Sequence, residues 1–320
     1  MIQLTGTFLD EVTHDISAHN WGPEDWARDF DAMQAVGIDT VILIRCGYQR
    51  RATFESPLLR REMDAYPVYT DLVDLFLTEA ERCGMAFYFG TYDSGTYWTH
   101  GRYQEEADLN KALADEVMAR YGNRAAFRGW YISHEIDAYD EGVMTVYEDL
   151  AAHLRKLKDQ PIFISPYIRG IKQFGDAAIS LGEHVSSWND VFARLEGLVD
   201  IVAFQDGNVS LADLPDFLAE NHRLASAHGL TSWSNVESFG RDVHIKFPPI
   251  DHRVLRYKME QAALAGVDKL ITFEFSHFMS PHAIYPAARN LYLRYVEFLE
   301  AQGFDGTAAR AVHAAARGRF

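Results

Sequence analysis

Gly129-Trp130-Tyr131-Ile132-Ser133-His134-Glu135 is an apolar, aromatic run that closes on a carboxylate. Trp233-Ser234-Asn235-Val236-Glu237-Ser238-Phe239 repeats that plan later in the chain. Each reads as a buried β-strand that delivers a glutamate at its C-terminal end. Working outward, the same strand-like texture recurs at Ile2–Leu9, Thr40–Arg45, Ala86–Thr91, Ile162–Pro166, Ile201–Gln205 and Leu270–Phe275. With Gly129–Ser133 and Ser232–Val236 that makes eight. All are short, β-branched or aromatic and near-continuously apolar, which marks strands covered on both faces of a parallel sheet.

Amphipathic helical stretches separate the strands. Leu72, Leu75, Phe76, Ala80 and Cys83 trace one face of the second helix, and Leu291, Tyr295, Val296 and Leu299 one face of the last. Gly37, Gly84, Gly122, Gly197, Gly229, Gly266 and Gly303 stand where these helices should stop, in the position that favours a left-handed residue. Pro23 opens the first helix where its missing N–H costs nothing. Strand and helix alternate every roughly 35–45 residues, which predicts an α/β fold closed as a single (β/α)8 barrel. Residues 1–304 read as one barrel domain. The alanine- and arginine-rich stretch 305–320 reads as a tail, either a frayed helix or a remnant outside the fold.

Composition narrows the partners. The 320 residues are 48% hydrophobic and 24% charged, with a net charge of −16. Such an acidic surface argues against nucleic acid and anionic membrane. No apolar run approaches the ~18 residues of a membrane span. The start, Met1-Ile2-Gln3-Leu4, has no secretory character, so the expectation is a cytoplasmic protein. Cys46, by the second strand, and Cys83, at the end of the second helix, lack metal-ligand spacing and read as buried free thiols.

In a barrel of this kind the active site sits at the strand C-termini. Gathering those ends brings together Asp10, Arg45, Tyr48, Tyr92, Trp98, His134, Glu135, Gln205, Asp206, Glu237 and Glu274. Carboxylates, amides and a guanidinium interleaved with aromatic rings suit a sugar: rings stack on its C–H faces while the polar groups take its hydroxyls. Glu135 follows Trp130, Tyr131 and Ile132, whose desolvation raises a carboxyl pKa and suits a general acid. Its competing reading is a structural glutamate tied to Arg45, Arg169 or a loop N–H. Glu237, across the cavity, would be nucleophile or base, or else a salt-bridged or substrate-orienting carboxylate. Arg45, Tyr48, Tyr92, Trp98 and Gln205 would shape the sugar subsite, with His134 and Asp206 beside them. Glu274 could face inward and hold Arg45 or a sugar hydroxyl, and Asp10 could bind substrate or cap the loop behind it.

Long loops, Gly47–Tyr66, Asp93–Tyr103 and Tyr167–Glu183, would set the pocket's shape. A second reading uses His14, His100, His134, His277 and His282 with the acids as an Mn²⁺ or Mg²⁺ site of a sugar isomerase or epimerase. No local histidine pair supports it. A third is a carbohydrate-binding barrel without catalysis. Phosphate-cradling glycine loops, a GxSxG elbow and CxxC pairs are all missing. The preferred reading needs no cofactor or metal and takes a small oligosaccharide or glycoside.

Gly6-Thr7-Phe8-Leu9-Asp10, Trp26-Ala27-Arg28-Asp29-Phe30-Asp31-Ala32-Met33 with Gly37-Ile38-Asp39-Thr40-Val41-Ile42, and Gly129 to Asp137 together carry a resemblance. The chain resembles glycoside-hydrolase-type TIM barrels, and in particular a bacterial domain-of-unknown-function family of that superfamily. It is also similar to the large retaining clan whose two glutamates end strands four and seven. That resemblance implies Glu135 as acid/base and Glu237 as nucleophile. The clan usually has asparagine before its acid/base, where this chain has His134. The resemblance therefore implies either that His134 takes over the sugar 2-hydroxyl or that the mechanism departs from the clan's.

Overall fold

The computed structural model describes residues 1–241 and 246–317. Eight strands form one closed barrel: β1 (Leu4–Leu9), β2 (Thr40–Leu43), β3 (Ala86–Gly90), β4 (Phe127–Tyr131), β5 (Ile162–Ile164), β6 (Ile201–Gln205), β7 (Thr231–Asn235) and β8 (Lys269–Thr272). Neighbours in sequence are neighbours in space, and β8 pairs β1 to close the ring. Every pairing is parallel; Thr7, for example, registers with Val41 on one side and Thr272 on the other.

The near-continuous apolar character of the strands follows from this closure. One set of side chains, among them Phe8, Ile42, Tyr88, Tyr131, Phe163 and Ile271, fills the barrel. The alternating set, including Leu9, Val41, Phe89, Trp130 and Val202, packs outward against helical residues such as Trp26, Phe76 and Trp188. The inner layer is strongly aromatic. Tyr131 meets Phe163 at 5.0 Å and Phe8 at 5.3 Å between ring centroids. Gly129, first residue of the quoted run, gives up its side chain to this packing. A Cβ there would lie 2.3 Å from the Tyr88 ring.

The expected helices form. Leu72–Cys83 buries Leu72, Phe76, Ala80 and Cys83, and Pro23 begins the helix Pro23–Ala35. Gly37, Gly84, Gly197, Gly229, Gly266 and Gly303 take positive φ as expected of helix stops. Gly122 does not: its φ of −59° keeps the chain in a right-handed turn after Tyr103–Tyr121. Cys46 and Cys83 are buried free thiols. No described helix is long and apolar enough to cross a membrane.

No sequence pattern marks structure within the long loops. Gly47–Tyr48, Arg51–Ala52 and Tyr92–Asp93 instead pair into a three-stranded sheet over the barrel mouth. Pro57–Met63 and Ile171–Phe174 are short helices within the same loops. The tail is not frayed over its described part. Thr307–Arg317 is a helix that buries Ala309, His313 and Ala316 against Pro23–Ala35 and Pro286–Glu300. Residues 318–320 of that tail lie outside the described residues.

Candidate active site

An open cavity of about 270 Å³ sits over the C-terminal ends of the strands. His14 reaches it from behind β1, Arg45 from β2, Glu135 from β4, Tyr167 from β5, Gln205 from β6, Glu237 from β7 and Phe273 from β8. Two carboxylates delivered by distant strands thus share one space.

Their surroundings differ. Glu135 is half-buried and accepts a hydrogen bond from the Tyr131 hydroxyl at 3.2 Å. Burial pushes its carboxyl above the usual range. The Arg45 charge and hydrogen bonds from Gln205 and Tyr131 resist that rise, and the charge of Glu237 adds to it. Glu237 is 1% exposed and held bidentately by Arg241, Nε to Oε2 at 2.8 Å and Nη2 to Oε1 at 2.7 Å. Arg241 in turn lies over the rings of Phe239 and Phe247.

The backbone around Glu237 is fixed as tightly. Its N–H donates to Asp206 Oδ1 at 3.0 Å and its carbonyl accepts from Lys258 Nζ at 2.8 Å. Lys258 and Asp206 are themselves a buried ion pair at 2.6 Å. Gly207 completes the seat, since a Cβ there would fall 1.6 Å from Glu237 Oε2. Only a residue without a side chain leaves room for the carboxylate and its guanidinium.

The other expected site residues divide into three groups. Arg45 and Gln205 line the cavity with the two glutamates. Arg45 is buried, bonded to Asp93 at 2.9 Å, and Gln205 is anchored to the Ser165 carbonyl. Tyr48 stands at the rim, stacked on His14 at 5.2 Å. Trp98 lines an adjoining cavity and is fixed by its indole N–H on Asp93 at 2.9 Å.

The remainder are turned into the protein. Asp10 caps its own loop by accepting from the N–H groups of Val12 and Thr13. Tyr92 is fully buried and donates to the Gln49 carbonyl. His134 is buried and paired with Glu106 at 2.8 Å. Asp206 is committed to Lys258 and the Glu237 backbone. Glu274 caps the short helix Phe275–Phe278 and pairs with His277, not with Arg45 or the cavity. Each is a buried polar group that found a partner within the protein.

The histidines do not converge. His14 is in the cavity, His100 is exposed on the Thr96 carbonyl, and His277 holds Glu274 and the Ser17 carbonyl. Among the described residues, Asp93, Glu106 and His134 form a cluster tight enough to hold a metal. Its oxygens already serve Arg45, Trp98, Ser94 and the Gly95 N–H, and none of the three lines the cavity.

Arg241 and Lys258 escape the sequence reading, and Tyr131 enters it only as an apolar neighbour of Glu135, without its hydroxyl contact. Arg241 follows Glu237 by four positions, a spacing that carries a contact in a helix. In a loop it carries no such expectation. Lys258 lies in a helix far along the chain, where nothing in its surroundings distinguishes it from a surface lysine.

Residues 4–285 match the family described as a domain of unknown function (DUF4434). A Bacteroides thetaiotaomicron VPI-5482 protein provisionally named an α-L-fucosidase is 44% identical. Its crystal structure superposes with a TM-score of 0.90 over 93% of this chain and 95% of that one. The endo-1,4-β-D-mannanase of Thermotoga petrophila RKU-1 shares the fold at 9% identity and a TM-score of 0.56, covering 92% of this chain and 98% of that one. The β-glucuronidase of an uncultured Clostridium sp. does so at 12% identity and 0.56, covering 92% and 50%. No curated protein matches the chain. Matched along most of its length by that profile and by a relative at 44% identity, the chain belongs to the DUF4434 family.

Proposed function

We propose that the protein is a glycoside hydrolase in which Glu135 and Glu237 carry the chemistry. The observation that supports this most strongly is electrostatic. Two carboxylates face one cavity, one pushed toward its protonated form by burial and the other ion-paired with a guanidinium. Opposed environments are what separate an acid from a base in a pair of like groups.

In the retaining course, Glu135 donates its proton to the departing glycosidic oxygen as the bond from that oxygen to the anomeric carbon breaks. A Glu237 oxygen forms the new bond to that carbon. Water then attacks the same carbon, gives its proton to Glu135 and releases the Glu237 carboxylate. Arg241 positions Glu237, and Arg45 and Gln205 bias Glu135. The aromatic floor and Tyr167 supply surface for the sugar's C–H face. Asp10, Tyr92, His134, Asp206 and Glu274 act as supports behind this layer, and Tyr48 and Trp98 at its edges.

The substrate in this reading is a small oligosaccharide or glycoside, handled in the cytoplasm by the barrel of residues 1–304. The name of the 44%-identical relative makes α-L-fucosides the first substrates to try. Trapping with 2-deoxy-2-fluoroglycosyl fluorides tests the retaining course. One glycosyl unit on Glu237, located by peptide mass, supports it; steady hydrolysis with no adduct means that Glu237 activates water instead.

A further inference from the structure

A second cavity, of about 340 Å³, adjoins the first. The two share Glu135 and Tyr167 as a common wall, while Glu237, Arg45 and Arg241 line only the first. That asymmetry gives the cleft a direction. A general acid must stand between the sugar that keeps its anomeric carbon and the group that departs with the oxygen. The nucleophile or base touches the former alone. The cavity holding both glutamates is therefore the glycone side, and the cavity holding only Glu135 is the side on which the leaving group rests.

We infer that this second cavity is a leaving-group subsite built for an uncharged sugar, an inference that rests on the glycosidase reading above. Its size falls within the ~300–1,000 Å³ of small-molecule sites. Trp98, Tyr139 and Tyr167 give it ring faces. Trp98 is held in place by Asp93, the same carboxylate that fixes Arg45 in the first cavity, so one buried group sets a wall of each. Tyr139 is 38% exposed at the rim.

The charge pattern selects the ligand class. Arg169 is the cation among the described lining residues, and Asp137 takes it bidentately at 2.6 and 3.0 Å. Asp137 neutralises that charge and Asp140 adds a negative one, so a carboxylate, sulfate or phosphate meets net repulsion from the described lining. A purely apolar aglycone would cover the exposed outer edge of the Arg169 guanidinium without a hydrogen bond to it. A neutral pyranose satisfies both the rings and the ion pair.

The test uses the intact protein. A panel of α- and β-glycosyl fluorides, whose departing atom needs no subsite, sets the glycone. The disaccharide of that glycone with a neutral sugar is then compared with the fluoride. Tyr139→Ala and Trp98→Ala are each expected to lower the disaccharide-to-fluoride ratio of kcat/KM at least tenfold. Tyr139 lies at the surface, so its variant keeps the test valid if Trp98→Ala folds poorly. A smaller fall in Tyr139→Ala overturns the subsite. A uronate in place of the neutral leaving sugar is expected to lower kcat/KM at least tenfold, and equal cleavage overturns the ligand class. If the wild-type protein turns over no fluoride, the glycosidase reading itself fails and the subsite falls with it.

Discussion

Arg241 grips both carboxylate oxygens of Glu237, at 2.7 and 2.8 Å, in a space that exists because residue 207 has no side chain. An ion pair of this geometry fixes where the carboxylate sits to a fraction of an ångström, and catalysis is sensitive on that scale.

Gly207→Ala tests the dependence. The added methyl would meet Glu237 Oε2 and Arg241 Nε, the two ends of the buried ion pair. The expected outcome is a loss of about 10²-fold in kcat of the folded variant, with a lowered melting temperature from the displaced buried ion pair. Unchanged kcat would show that the seat is not needed.

Lys258 is a structural counterpart. It is 3% exposed and pairs with Asp206 beneath Glu237. Lys258→Met leaves a buried carboxylate without its partner, which should cost about 3–5 kcal/mol. Urea denaturation measures it, and a cost under about 1 kcal/mol would contradict the burial argument.

In the proposed mechanism the pH dependence of activity follows from Glu135. Burial raises its carboxyl above the ordinary 4.5, and a general acid works only while protonated. Activity should therefore fall as pH rises through that elevated pKa. The Tyr131 hydroxyl stabilises the anion, so Tyr131→Phe raises the pKa further and moves the alkaline limb of the kcat/KM profile to higher pH. A limb that stays put or moves to lower pH would contradict the assignment.

Stability has its own pH signature at His277. Burial works to lower this imidazole's pKa, but the charge and hydrogen bond of Glu274 outweigh it and push it up from 6.5 to about 9. A raised folded-state pKa means stability fully present below about 6.5 and lost as pH rises through about 9. The wild-type melting temperature should decline over that window. Glu274→Gln should remove the decline; a persistent one would place its origin elsewhere.

The barrel was legible because most strand residues are buried whichever face they take, so apolar runs mark most strands; Thr231–Asn235, with Trp233 as its one apolar side chain and Thr231 exposed, was legible by its place in the alternation of strand and helix. Glu135 and Glu237 were legible as carboxylates that close two such strands. Asp206, His134, Glu274 and Tyr92 are polar groups that also follow barrel strands, yet each turns to an internal partner. Those partners, Lys258, Glu106, His277 and the Gln49 carbonyl, come from other turns of the fold. His277 lies three residues from Glu274, but on a short helix that no periodicity announced. Side-chain direction at a strand end depends on such contacts, and residue order does not encode them locally. The three-stranded sheet over the mouth was hidden for a related reason: two-residue strands are too short to show alternation.

The most direct test of the two-glutamate account is the rate of hydrolysis of a glycoside with a sugar leaving group by Glu135→Gln and Glu237→Gln. A loss of about 10²-fold or more is expected in each, with Glu135→Gln largely recovering on the matching glycosyl fluoride, whose fluoride departs without a proton. Wild-type rates in either variant on the sugar substrate would contradict it.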